Sequence, residues 1–220
     1  MFPPLYAILD VEQAAGPASN LPEILIGAGV ELLQIRDKRA SARTLHLAAR
    51  KLVETYTPRG VRIIVNDRPD IAAMVGAGGV HVGQEDLPVG NARRICGRSL
   101  WVGVSTHNLE QFREAAATSA DYIALGPVFP TGTKEHPDPV VGLELLRAVR
   151  KLTKKPLVAI GGITVESAGA VFGAGADSVA VVRDLVCAAD PAQRVKEYLA
   201  IAERTLGVRR ASRRSTGAPA

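Results

Sequence analysis

Eight short apolar runs recur through the 220 residues, and their rhythm constrains the fold more than any other feature. They are LYAIL at 5–9, ELLQI at 31–35, RIIV at 62–65, GVHV at 79–82, WVGV at 101–104, YIAL at 122–125, LVAI at 157–160 and SVAVV at 178–182. Rich in Val and Ile and mostly lacking polar alternation, they read as strands buried on both faces. Helix signals lie between most of them. Asn108 with Gln111 forms a candidate capping box, Asp190 before Pro191 suits an N-cap and first helical position, and Thr164 is a candidate cap after the seventh run. Strand and helix alternating eight times with short connections predicts an α/β fold, a single (β/α)8 TIM barrel; an open doubly wound sheet is the rival. No Gly-x-Gly-x-x-Gly turn follows the first run, which favours the barrel.

Length fits one domain of this type. Apolar residues at 47% and charged residues at 22% are ordinary for a globular chain. The formal charge is +5, but Arg209, Arg210, Arg213 and Arg214 cluster near the end, and subtracting those four charges from +5 leaves +1. The body is nearly neutral, so the isoelectric point of about 9.5 does not argue for nucleic-acid binding. The expected organisation is a barrel over 1–206 and a basic, disordered tail over 207–220. Cys96 and Cys187 lack metal-binding or disulfide-dense spacing, no run reaches membrane-spanning length, and no basic segment with a cleavable apolar stretch opens the chain. The expected location is cytoplasmic, and the expected partners are small-molecule substrates, with neither nucleic acid nor membrane. Homo-oligomerisation is left open.

Polar clusters begin where the apolar runs stop: Gln34 to Lys38, Asn66-Asp67-Arg68, Gly83 to Asp86, Ser105-Thr106-His107, Thr131 to Lys134, Gly161-Gly162 and Arg183-Asp184. In a βα barrel these strand ends open onto the face where active sites are built. Asp67 and Asp86 follow neighbouring strands and are candidate ligands for magnesium, which takes few carboxylates and completes its shell with water and phosphate oxygens. Capping of the following helices is the alternative for both.

Arg36, Lys38 and Lys134 would neutralise a diphosphate as charge develops on leaving. Gln34 and Asn66 could orient a heterocycle or simply satisfy backbone groups. Gly161-Gly162 and the Val182-Arg183 end of the eighth run fall where barrels bind phosphate through backbone N–H groups. His81, inside a run, reads as a hydrogen-bonded barrel residue, and His107 as a residue orienting its loop. Zinc is not expected, since no Cys/His spacing suits it.

From LYAILD through QIRDK, VNDRPDIA, HVGQEDLP, VGVSTHN, ALGPVFPTGTK and AIGGIT to GADSVAVV, the chain resembles the thiamine-phosphate synthases. The resemblance implies a transferase joining 4-amino-2-methyl-5-hydroxymethylpyrimidine diphosphate to a thiazole phosphate, carboxylated or not, with release of pyrophosphate. By motif it implies that Gln34, Arg36, Lys38, Asn66, Ser105 and Lys134 hold the pyrimidine diphosphate, with Arg36, Lys38, Ser105 and Lys134 assisting catalysis. Asp67 and Asp86 would hold Mg2+. Thr131, Gly132, Thr133, Gly162, Val182 and Arg183 would hold the thiazole phosphate. Arg183 departs from the family's usual serine, and pairing with Asp184 is its alternative role. Two other readings stand beside the synthase: a thiazole tautomerase-type paralogue and a non-catalytic phosphate-ligand-binding barrel.

Overall fold

The computed structural model describes residues 1–10, 20–132 and 138–215, with side chains through residue 207. Strands β1 (Leu5–Asp10), β2 (Leu32–Arg36), β3 (Arg62–Asn66) and β4 (Gly79–Val82) make the first half of the sheet. Strands β5 (Trp101–Thr106), β6 (Tyr122–Leu125), β7 (Leu157–Ile160) and β8 (Ser178–Val181) make the second. All pair in parallel with their sequence neighbours, and β1 also pairs with β8 through Leu5 and Val179, so the sheet closes. An open sheet is thereby excluded. All eight apolar runs form strands, each within one or two residues of its expected limits.

The helices are α1 (Leu21–Gly27), α2 (Ala42–Tyr56), α3 (Pro69–Met74), α4 (Val89–Cys96), α5 (Leu109–Ala117), α6 (Gly142–Arg150), α7 (Val165–Gly173), α8 (Arg183–Val186) and α9 (Pro191–Ser215). Their starts follow local chemistry. Asp190 Oδ1 accepts from the Gln193 N–H at 2.9 Å, as an N-cap should. Ser167 Oγ accepts the Thr164 N–H at 3.0 Å, one arm of a capping box. At α5, Asn108 Oδ1 accepts from the Gln111 N–H, but the Gln111 side chain accepts from His107 instead of closing the box on Asn108. The boundary expected at residue 206 falls inside α9, which continues to Ser215. Arginine and alanine are good helix formers, a preference that the tail's composition concealed. Residues 216–220 lie outside the described residues.

Because side chains alternate across a strand, the sheet builds two cores. Leu33, Ile63, Val80, Val102, Ile123 and Val179 face outward against helices, whose Phe112, Phe172 and Tyr198 are fully buried. Tyr6, Ile8, Leu32, Ile64, Tyr122, Ala124, Val158 and Ala180 form a separate core inside the barrel. At the N-terminal end, Phe2 stacks on Trp101 with centroids 5.2 Å apart, and the Arg62 guanidinium lies 3.8 Å over the Trp101 ring. That end is plugged. The inward-facing phase of the same strands carries Gln34, Arg36, Asn66, His81 and Ser105 toward the other end, which the site occupies.

Candidate active site

The first side of the mouth is made by residues on or just after β2 to β5. Asp10 and Arg36 are cross-strand register partners at the ends of β1 and β2, and their side chains form an ion pair. Asp10 is only 1% exposed, so its charge is held inside the protein by that guanidinium. In the β2–α2 loop, Asp37 Oδ1 accepts from the Arg39 and Ala40 N–H groups at 3.1 and 2.9 Å, which fixes the turn carrying Lys38. Lys38 Nζ then lies 3.6 Å from Asp67 Oδ2.

Asp67 has φ 60°, the left-handed region that non-glycine residues enter at a cost of about 1–2 kcal/mol. Its N–H donates to the His81 carbonyl at 2.8 Å, which helps to hold that conformation. Burial pushes its carboxyl up to about 6, and the neighbouring Asp86 carboxyl adds to the rise, against a smaller opposing effect of Lys38. Asp86 Oδ2 in turn accepts the Gly83 N–H at 2.7 Å. Two carboxyls thus face each other from adjacent strand ends, and that closeness favours protonation unless a cation relieves it. No cluster of three or more His, Cys, Asp or Glu suited to a metal occurs among the described residues. A two-carboxylate site matches magnesium, whose remaining ligands come from water and phosphate.

Asn66 ends β3 with its half-buried amide free of hydrogen bonds among the described residues. Gln34 is buried and donates from Nε2 to Tyr6 Oη at 2.7 Å. Ser105 Oγ lies 2.8 Å from His81 Nε2. His81 is therefore the hydrogen-bonded barrel residue expected from its place in a strand. His107 Nδ1 lies 2.6 Å from the Gly126 carbonyl, so it ties β5 to the loop after β6, in keeping with an orienting role.

The opposite side follows β6 to β8 and is built mainly from backbone. Val128 and Phe129 N–H groups donate to the Ile160 and Gly161 carbonyls at 2.9 and 3.0 Å. The loop after β6 therefore lies directly on the end of β7. Gly162 has φ 65°, and a Cβ there would sit 2.4 Å from the Pro130 carbonyl oxygen, so the approach requires glycine. A Cβ on Gly132 would lie 3.2 Å from the Arg183 guanidinium, which brings these two expected phosphate residues together. Thr131 is half-buried on the same loop, and Val182 packs against the inner core. Thr133 and Lys134 lie outside the described residues.

Asp184 is committed elsewhere. Both its oxygens accept from Arg194 at 3.1 Å, and Oδ2 accepts from the Tyr198 hydroxyl at 2.7 Å. Arg183 makes no ion pair among the described residues, so the alternative of an Arg183–Asp184 pair is not what forms. Sequence reading missed Asp10, Tyr6 and Tyr122, which support the site without standing in its polar clusters. Their signal is the period-two phase of β1 and β6, which puts a tyrosine or an aspartate where an apolar inward residue is expected.

A closed parallel barrel with all its polar strand ends at one mouth, carboxylates on one side and glycine backbone on the other, is the build of an enzyme acting on phosphorylated small molecules. The family described as thiamine monophosphate synthase matches residues 5–185, and the chain belongs to it. A thiamine-phosphate synthase of Koribacter versatilis is 50% identical over 205 residues, covering 90% of this chain and 95% of the relative. One from Methanospirillum hungatei is 40% identical over 195 residues, covering 88% and 95%. Among solved structures, the thiamine phosphate pyrophosphorylase from Pyrococcus furiosus superposes with a TM-score of 0.83 at 33% identity, covering 92% of this chain and 96% of that one.

Proposed function

We infer that this chain is a thiamine-phosphate synthase, an alkyl-transferring transferase that joins the pyrimidine diphosphate to the thiazole phosphate and releases pyrophosphate. The observation that carries the reading is the two-sided mouth: paired Asp67 and Asp86 with Lys38 on one side, Gly132, Gly162 and Arg183 on the other, in a chain of this family. A tautomerase-type paralogue has no use for the carboxylate pair beside Lys38. A purely binding barrel has no use for a cation-ready pair set opposite a second phosphate pocket.

In this reading Asp67 and Asp86 hold Mg2+, which when bound would draw charge from the diphosphate oxygens. Arg36, fixed by Asp10, and Lys38 bind the same diphosphate, with Ser105 donating a hydrogen bond and Lys134 adding a further cation. Asn66 and Gln34 orient the pyrimidine. The carbon–oxygen bond breaks first, its electron pair leaving with pyrophosphate, and the amino-pyrimidine spreads the positive charge left on its methylene. Gly132, Gly162 and Arg183, with Thr131, Thr133 and Val182, align the thiazole so that its ring nitrogen supplies the new bond. The chain's own work is to place the two substrates, neutralise the leaving group and exclude water, with no strong base required. Small biosynthetic substrates of this kind suit a cytoplasmic location, and no described helix is long and apolar enough to cross a membrane.

Incubation with both substrates and Mg2+ tests the reading. Stoichiometric pyrophosphate and thiamine phosphate are expected. Isomerised thiazole without pyrophosphate would point to the tautomerase instead.

A further inference from the structure

Inside the barrel, five side chains from five strands touch in a single file. Gln34 Nε2 lies 2.7 Å from Tyr6 Oη, which is 3.0 Å from Tyr122 Oη. Tyr122 Oη is 3.0 Å from His81 Nδ1, and His81 Nε2 is 2.8 Å from Ser105 Oγ. The two ends of the file, Gln34 and Ser105, are both residues assigned above to the pyrimidine diphosphate; the three between them are buried and touch no substrate in that reading.

The rings are fixed in place. His81 stacks on Tyr122 at 5.5 Å, and Tyr6 meets Tyr122 edge-on at 5.9 Å. Gly103 makes the room: a Cβ there would lie 2.0 Å from the Tyr122 ring, so no larger residue fits beside it. The file is thus built into the sheet, with little freedom to re-pair.

Each hydroxyl has one proton to give, and a neutral imidazole has one N–H and one lone pair. Burial raises Tyr6 and Tyr122, so both keep their protons, and the His81 ring between two hydroxyls continues the file with one N–H and one lone pair. Such a file has only two self-consistent directions. If Ser105 donates outward, its oxygen must accept from His81 Nε2–H, which leaves Nδ1 to accept from Tyr122. Tyr122 then accepts from Tyr6, and Tyr6 from the Gln34 amide nitrogen. In the opposite direction Ser105 turns its proton to His81 and Gln34 presents nitrogen instead of oxygen away from Tyr6.

We propose that Tyr6, Tyr122 and His81 are positioning residues that couple the two ends of the site, so that an anion accepting from Ser105 fixes Gln34 with its carbonyl oxygen turned to the substrate. A diphosphate oxygen is such an acceptor. The Gln34 oxygen, which has no partner among the described residues, then selects a ring bearing a hydrogen-bond donor, such as an exocyclic amine, over one bearing a carbonyl. The inference rests on the synthase reading and deepens it: binding of the leaving group sets how the ring is recognised.

The test is the protonation of His81 in histidine-15N-labelled protein saturated with magnesium pyrophosphate, with the signal assigned against a His81→Gln variant. The expected result is a single tautomer protonated at Nε2. Protonation at Nδ1, at both nitrogens, or in a mixture would overturn the coupling while leaving the synthase reading intact. Failure of magnesium pyrophosphate to bind would sink both. Tyr6→Phe cuts the file and keeps the ring. It should lower the preference in kcat/KM for the 4-amino over the 4-oxo pyrimidine diphosphate by about tenfold, the worth of one directed hydrogen bond. An unchanged preference in folded Tyr6→Phe protein would likewise overturn the proposal.

Discussion

The two sides of the barrel mouth handle charge in opposite ways. On the β2–β5 side each described cation already has an acid: Arg36 is paired with Asp10 and Lys38 with Asp67, and Asp86 adds a further carboxyl. On the β6–β8 side Arg183 has no acid among the described residues, and the described loop backbone is brought close by Gly162. In the proposed reading the difference follows from what each ligand carries. A diphosphate that arrives with a divalent cation meets side chains balanced to receive both. A lone phosphate needs a cation held in reserve and N–H groups at short range.

The carboxylate pair should be the most sensitive part of this contrast. Asp67→Asn and Asp86→Asn are each expected to lower kcat by about 10²-fold or more, the scale of losing a charge stabiliser at a leaving group. Melting temperature should barely move, since asparagine also tolerates the positive φ at 67. Full activity of either variant at limiting magnesium would break the assignment. Lys134→Ala should come next, slowing carbon–oxygen cleavage in single-turnover experiments by about 10²-fold while sparing thiazole-phosphate affinity. A defect confined to that affinity would move Lys134 to the other side of the mouth.

Gly162→Ala attacks the backbone side. The added Cβ, 2.4 Å from the Pro130 carbonyl oxygen, predicts a loss of about 1–3 kcal/mol in stability, read by urea unfolding, together with a raised KM for thiazole phosphate. Normal values of both would show that the turn has slack. Arg183→Ala should raise the same KM by about tenfold with little change in kcat, as expected for one charge-assisted contact at an exposed site.

The smallest effect is the dependence of cation binding on pH. Asp67 holds its proton up to about 6, above the ordinary 3.8, so the folded state binds that proton more tightly than the unfolded chain. Metal-free stability should therefore fall as pH rises from about 4 to about 6, and a cation must displace the proton in that window. Magnesium is expected to raise the melting temperature more at pH 8 than at pH 5. An equal rise at both would show that Asp67 is ionised throughout.

The barrel was legible because its strands are apolar on both faces, a pattern carried by each run on its own. Arg36, Asn66 and Thr106 extend their strands beyond the apolar runs, since the ladder continues after side chains turn polar at the mouth. Most residues of the candidate site were legible for the same reason, standing where a run stops. Partners set by cross-strand register were not. Nothing in LYAILD says that Asp10 meets Arg36, and nothing near His81 says that a tyrosine 41 positions later reaches it. The fate of Asp184 was equally hidden, because its partners Arg194 and Tyr198 lie on α9, in a different segment from the motif.

The plug at the closed end carries a practical consequence. Trp101 is the chain's single tryptophan, and it is clamped between Phe2 and Arg62 at the floor, the far end of the barrel from the candidate site. Its emission is an intrinsic signal of whether the barrel is closed, insulated from whatever occupies the mouth. Unfolding of any site variant can thus be followed optically, without a dye and without confusing lost ligand with lost structure.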